Sequence, residues 1–342
     1  MKNFIRVLQI AFTYIGTVVG AGFATGQEIL QFFTQYGKWA TLTIFLATAM
    51  FIWLGTKMMM MSRRISARSY EDLNKHLFGP KAGGYISIIM LFILIGVNSI
   101  MLAGAGSVFM EHLNLHYQTG LILTIIGTYF LLNRGMNAIM NMNSIVVPMM
   151  LTLSVLIVVS TVHLPNANRF LTLTTDHHMF AVWLAPLLYT AFNLVMAQAV
   201  LVPLGSKTES IQVVKWGGIL GGIGVGFMLL AAHIALSAQM PGILQFEIPM
   251  GSIAFQLGAI VQIIYIVLIF MEIFTTFVAD IYGVTLQLQQ RLSLSPKLIS
   301  IIVMMICYML SQIGFSSLLS VLYPLFGCLS MLWAIKLIFK SK

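Results

Sequence analysis

The sequence predicts an all-α integral membrane protein of ten spans, arranged as two inverted halves of five. Three observations carry that expectation: the apolar composition, the sorting of basic residues between alternate connections, and the matching segment pattern of the two halves.

Of 342 residues 59% are hydrophobic and 8% charged, and the mean hydropathy is +0.96. A chain of this kind is dissolved in lipid. A span needs about 20 apolar residues to cross the hydrocarbon. Ten stretches qualify, near 5–35, 38–62, 83–110, 118–133, 144–163, 179–204, 214–238, 253–286, 297–314 and 316–338.

With the N-terminus cytoplasmic, the inner side receives Lys2, Arg6, Lys57, Arg63, Arg64, Arg68, Lys75, Lys81, Arg134, Lys207, Lys215, Arg291, Lys297, Lys336, Lys340 and Lys342, and the outer side only Lys38 and Arg169. A missed or extra span would scramble these sides, so the asymmetry supports both the span count and cytoplasmic termini. It also explains the formal charge of +9 without a nucleic-acid partner, because the basic residues sit at segment ends and form no continuous surface. Lys2 and Arg6 ahead of an apolar stretch imitate a secretory signal. The stretch continues past Ala24 into a glycine cluster, so a full span is expected instead. Cys307 and Cys328, both inside predicted spans, imply neither a disulfide framework nor a metal cluster.

Segment one carries Gly16-Thr-Val-Val-Gly20-Ala-Gly22-Phe-Ala-Thr-Gly26-Gln-Glu28 at its middle. Each interior helical glycine costs about 1 kcal/mol relative to Ala. Backbone that leaves the helix inside a bilayer is tolerated only where it lines protein or water. The run reads as a discontinuous helix at a binding site, although Gly20 and Gly22 also fit close helix packing.

The halves overlay at a shift of about 175 residues, segment one on six through five on ten, and an odd number of spans forces opposite insertion. The chain is expected to be one transmembrane domain over 1–342, with repeats near 1–163 and 179–338. Segment six is expected to break as well, since Pro186 and Pro203 flank Tyr189-Thr-Ala-Phe192-Asn193 and proline removes a backbone donor. Residues 164–178 form a polar outer loop. Residues 239–252, with Pro241 and Pro249 around an apolar stretch, are expected to form a short hairpin that dips into an outer vestibule.

Three of the nine acidic residues, Glu28, Glu272 and Asp280, fall within spans, where ionisable groups are costly and often mark ion or substrate paths. Glu272, Thr276 and Asp280 recur every four residues and form one polar stripe. They read as coupling groups, or as a structural acid at Glu272 and an interfacial one at Asp280. Glu28 reads either as an acid of the site or as a helix-terminus cap. No Lys or Arg lies at mid-span, which tilts the cavity toward cations. Tyr14, Phe23, Tyr189 and Phe192 cluster around the two expected breaks, where rings can pack or close over a ligand. His233 lacks a second ligand at metal spacing and reads as a core histidine. Gly222-x-Gly224-x-Gly226 lacks a preceding strand and fails as a dinucleotide fingerprint. No hydrolase or P-loop motif occurs, so neither an enzyme nor an ATP-driven pump is expected.

At this level the chain resembles the LeuT-fold, amino acid/polyamine/organocation superfamily of transporters, through the five-plus-five pattern and Gly16-x-x-x-Gly20-x-Gly22. More locally, Gly20-Ala-Gly22-Phe-Ala-Thr-Gly26-Gln-Glu28 and Leu201-Val-Pro-Leu-Gly205 are similar to the YkvI family of bacterial membrane proteins. The resemblance implies a LeuT-like bundle with broken helices one and six. It implies a sodium ion between the carbonyls of Gly16 and Val19 and the hydroxyls of Thr275 and Thr276. The solute would lie between the breaks, against Gly20, Gly22, Phe23, Thr25, Tyr189, Phe192 and Asn193. Glu272 departs from the pattern, standing where that superfamily carries a small residue. Coupling through Glu28, Glu272 or Asp280 leaves a proton as the alternative ion.

The implied function is symport of a small zwitterionic or cationic solute, such as an amino acid or amine, across the bacterial cytoplasmic membrane. No cofactor is expected beyond the coupling ion, and no partner beyond solute and lipid. A ligand-sensing receptor of the same fold, or a channel, is the alternative.

Overall fold

The computed structural model describes residues 2–246, 248–313, 326 and 330–340. Cys328, Lys342 and most of segment ten lie outside the described residues. Among those described the structure is helical throughout, and six helices are long and apolar enough to cross a membrane.

Segment one is α1 (Lys2–Val18), α2 (Ala21–Thr25) and α3 (Gln27–Phe32). Segment two is α4 (Trp39–Met50), a π-turn at Phe51–Gly55 and α5 (Thr56–Arg64). A short amphipathic helix, α6 (Tyr70–Phe78), precedes α7 (Pro80–Leu113), α8 (Tyr117–Leu132) and α9 (Met136–Val162). The second half follows with α10 (Arg169–Thr172), α11 (Met179–Lys207), α12 (Ile211–Ala238), α13 (Pro249–Gln256), α14 (Ala259–Gln289) and α15 (Pro296–Ser311). Segment ten contributes α16 (Ser330–Phe339).

These helices form two groups. Segments one, two, six and seven pack together through α1 on α12, α11 on α4 and α5, and α12 on the π-turn. Segments three, four, eight and nine pack through α7 against α8, α14 and α15, while α9 touches α1, α12 and α14. The glycines of segment seven explain the first group. A Cβ on Gly217, Gly221 or Gly224 would strike Ile10, Tyr14 or Ile15 of α1; one on Gly218, Gly222 or Gly226 would strike segment two. Two adjacent small-residue faces therefore let α12 approach two helices at once, which is the structural meaning of the glycine run in segment seven.

Basic residues gather at one end. Arg63 donates to the carbonyls of Thr208 and Glu209, Lys207 to the Tyr282 hydroxyl, and Arg291 to Glu71. Lys38 and Arg169 mark the opposite end, where the 164–178 loop is tied to the start of segment two by a bond from Lys38 N to Leu173 O of 2.7 Å. The 239–252 loop is partly helical rather than a hairpin. It settles over the α2–α3 part of segment one, with Gln27 donating to the Phe246 carbonyl at 2.9 Å and Met250 lying against Gly26.

Three sequence expectations are corrected. Segment six does not break, because α11 runs as one helix through Pro186 and Pro203. A proline deprives the carbonyl four residues earlier of its partner, and neighbouring helices make that tolerable in a membrane span. For Pro203 that carbonyl belongs to Ala199, which lies directly against Gly283 of α14. Segment eight begins at Ala259, since Gly258 at φ +112° separates it from α13. Segment five begins at Met136, ahead of the expected start near 144.

Candidate functional site

The break in segment one begins at a single misdirected donor. Gly20 N would ordinarily donate to Gly16 O, but it bonds Val18 O at 3.1 Å, with Gly20 extended at φ −98° and ψ −167°. Gly16 O is thereby released. Gly26, at φ +88°, makes the second turn between α2 and α3, a backbone state available at little cost only to glycine.

Thr276 of α14 reaches this break. Its hydroxyl lies 3.3 Å from Gly16 O and 3.5 Å from Val19 O. Oxygens spaced this way match one corner of an octahedron with metal–oxygen distances of about 2.4 Å, in the range for hard cations of calcium-like size. Neutral carbonyls and a hydroxyl suit a monovalent ion that must also leave. Thr275 is placed differently, its hydroxyl donating to the carbonyl of Glu272 within its own helix at 3.1 Å. Of the four oxygens implied for a cation, the structure brings three together and turns the fourth back.

Asn143 of α9 is a neighbour of this cluster that sequence reasoning missed. It is 1% exposed, its Oδ1 has no hydrogen-bond partner among the described residues, and a Cβ on Gly16 would lie 2.8 Å from its Cγ. The available signal was an asparagine inside an apolar run, but nothing in the sequence paired it with Gly16. Glu272 stands one turn from Thr276, within about 40° around the helix. It is fully buried, and neither carboxylate oxygen has a hydrogen-bond partner among the described residues. Asp280, one turn the other way, lies near Tyr70 of α6 and Cys307 of α15, and no bond joins it to segment one among the described residues.

On the other side of the break, Glu28 folds back over Gly22. A Cβ there would sit 2.7 Å from both Cγ and Cδ of the glutamate, so the bare glycine makes room for this carboxyl group. Glu28 is also in the first turn of α3, so the two sequence readings coincide: an acid at a helix N-terminus that points into the break. Its neighbour across the gap is Tyr189 of α11, which Asn193 also approaches. Asn193 donates to the carbonyl of Tyr189 at 3.0 Å. Tyr189 is wedged among Phe33 at 5.1 Å, Phe32 at 5.3 Å and Phe51 at 6.2 Å between ring centroids.

The remaining predicted residues serve closure and packing. Phe23 and Ala24 line a cavity of about 20 Å³ with Met250 and Tyr265, room for about one water. The Tyr265 hydroxyl donates to the Ala24 carbonyl, sealing α14 to α2. Thr25 back-bonds to Gly22 O at 3.1 Å. Phe192 stacks on Phe326 at 6.1 Å, and Gly20 abuts the tip of Met101. Tyr14 is not a ligand-closing ring: its hydroxyl donates to Phe51 O at 2.7 Å, and Gly55 and Gly221 leave space for the ring.

At the basic end, a polar network absent from the sequence reading ties α6 to α14. Glu71 accepts from Arg291 Nε at 2.7 Å, Arg291 Nη2 at 2.9 Å and Lys75 Nζ at 2.7 Å. Burial alone would raise this carboxyl group, but the two cations outweigh it and hold its pKa below the ordinary value. Trp333 of α16 joins by donating to Asn74 at 2.8 Å.

A broken first helix docked on span eight, inside a bundle resting on a second helical group, defines an integral membrane protein of the LeuT fold. MhsT, solved in complex with L-phenylalanine, superposes at a TM-score of 0.72 with 16% identity, over 96% of this chain and 87% of that one. A Na+-coupled sialic acid symporter in a substrate-bound outward-open state superposes at 0.68 with 15% identity, over 95% and 76%. No protein-family model matches. The membrane protein YkvI of Bacillus subtilis (strain 168) is 40% identical over 323 residues, 94% of this chain and 92% of YkvI. The chain belongs to the YkvI family.

Proposed function

We propose that this protein is a secondary transporter, and no enzyme, that couples a monovalent cation to the movement of a small zwitterionic or cationic organic solute. The observation that carries the reading is the cluster of Gly16 O, Val19 O and the Thr276 hydroxyl. Such a cluster gives a cation a way to join segment one to segment eight. Solute would lie above it, with its positive group toward Glu28 and the remainder against Tyr189 and Asn193. The continuous α11 contributes side chains rather than freed backbone. Segments one, two, six and seven would rock against three, four, eight and nine. Because the cation and the solute share segment one, each strengthens binding of the other. The similarity to MhsT and to the sialic acid symporter supports a transporter of this fold.

Glu272 supports a second coupling ion, the proton, since an unpartnered buried carboxylate needs a positive charge beside it. Proteoliposomes separate the two. Amino acids and amines are first screened for stabilisation of the purified protein. Uptake of the best ligand is then measured under a sodium gradient alone and under a pH gradient alone. Uptake driven by sodium and lost in Thr276→Ala is the expected result. Uptake driven only by the pH gradient transfers coupling to Glu272, and uptake driven by neither refutes symport.

A further inference from the structure

Away from the break, at the basic end, the π-turn, α5, α6, α12 and α16 line a cavity of about 800 Å³. Its wall is apolar and includes Ile52, Ile219 and Ile338. Its rim carries Lys57 and Arg64 from segment two, His76 from α6, Lys215 from α12 and Lys340 from the end of segment ten. No Asp or Glu is among the lining residues. Cationic groups from three separate elements, segment two, α12 and the end of segment ten, thus converge on one concavity, an arrangement that is repulsive without an anion.

The charges are not absorbed by nearby acids. Glu71 pairs with Arg291 and Lys75, and Asp72 with Arg68, whereas Arg64, Lys215 and Lys340 make no ion pair among the described residues. Partial burial and the neighbouring Lys340 both lower the pKa of His76, a sign that positive potential is concentrated there. Lys57 is held at the throat, donating to Ile338 O at 2.9 Å and lying 6.0 Å from the centroid of Trp53. Trp53 and Trp216 are each 53% exposed and Phe339 is 79% exposed. Such aromatics at the end of a bundle sit at headgroup depth.

A soluble anion would satisfy the rim and leave the apolar wall bare. A zwitterionic lipid would cover the wall without using the excess charge. We propose that the cavity binds an anionic phospholipid of the leaflet at the basic end. Its phosphate would lie among Arg64, Lys215 and Lys340, and an acyl chain along Ile52, Ile219 and Ile338. Basic pockets between membrane helices recognise lipid headgroups through this chemistry.

The test uses the full-length protein in detergent, titrated with phosphatidylglycerol, phosphatidylcholine or inorganic phosphate. Thermal stability and lipid retention in native mass spectrometry are the readouts. Phosphatidylglycerol is expected to stabilise more than phosphatidylcholine and to remain bound. The variant R64Q/K215Q/K340Q should bind phosphatidylglycerol about 100-fold more weakly, about fivefold per charge removed, while its response to phosphatidylcholine stays unchanged. Should the triple variant fail to fold, R64Q and K215Q singly each predict the fivefold step. Equal stabilisation by both lipids, undiminished phosphatidylglycerol binding in the variants, or full reproduction of the effect by inorganic phosphate would each overturn the proposal.

Discussion

Gly22→Ala and Gly20→Ala are two substitutions of the same kind, two residues apart in the same break, and the structure assigns them opposite outcomes. At Gly22 the new Cβ would lie 2.7 Å from Cγ and Cδ of Glu28. Carbon atoms settle at about 3.5–4.0 Å, so the glutamate must retreat by about 1 Å from the gap it shares with Tyr189. Misplacement of a positioning group by that distance can cost about 100-fold. At Gly20 the Cβ would meet only the Met101 methyl, at 2.9 Å, the mobile tip of a flexible side chain. At Gly22, inside α2, alanine is the better helix former by about 1 kcal/mol, and at Gly20 the negative φ of −98° is open to alanine, so neither change threatens folding. Equilibrium binding of the ligand found in the stabilisation screen should fall 10- to 100-fold for Gly22→Ala and less than threefold for Gly20→Ala, with both proteins eluting as wild type. Equal losses, or no loss at Gly22, would refute placement of the solute against Glu28.

Thr276→Ala should abolish sodium-dependent stabilisation, a gain of about 2.7 kcal/mol at a hundredfold excess over Kd in the wild type. Thr275→Ala should retain most of it, because that hydroxyl serves its own helix; thermal unfolding with and without sodium decides. Glu71→Gln should cost about 2 kcal/mol, a charge-assisted hydrogen-bond loss reduced by the exposure of Arg291 and Lys75. Since the folded pKa of Glu71 is lowered, its contribution is fully present above the ordinary carboxylate range and is lost as pH falls through that range toward the folded value. Wild type and Glu71→Gln should therefore converge in stability in acid, a convergence that melting curves across pH would show.

The break in segment one was legible because glycine clusters at membrane depth have few other uses, and Thr276 followed from the resemblance. The distinction between Thr275 and Thr276 was not legible. Adjacent helical residues point about 100° apart, and only the rotation of α14 decides which one meets Gly16. Pro186 and Pro203 misled for a related reason. A proline states that a helical bond is missing, but whether the helix breaks depends on what covers the freed carbonyl, and at Ala199 that is Gly283, 84 residues away in the sequence. The π-turn at Phe51–Gly55 carries no proline, and its partner is the Tyr14 hydroxyl. Asn143 beside Gly16 and Arg291 on Glu71 are likewise pairings between distant segments. Periodicity and composition describe each span alone, so they locate polar residues without naming their partners.

Sodium and proton coupling need not be rival descriptions of this site. Glu272 is buried with neither oxygen hydrogen-bonded among the described residues, and an uncompensated carboxylate in such a place costs several kcal/mol. A positive charge must accompany it, and the proposed function offers two sources: a proton on the carboxyl itself, or a cation at the proposed site one turn away at Thr276. If one acid accepts either, sodium binding releases a proton, and sodium affinity rises with pH by up to about tenfold per unit where the exchange occurs. Glu272→Gln removes the exchange and should leave sodium affinity independent of pH. Sodium titrations followed by thermal stability, from acid to alkaline pH, measure both proteins. A flat wild-type profile would sink the exchange. A slope that survives in Glu272→Gln would assign the proton to another acid, with Asp280, one turn beyond Thr276 on the same stripe, the next to substitute.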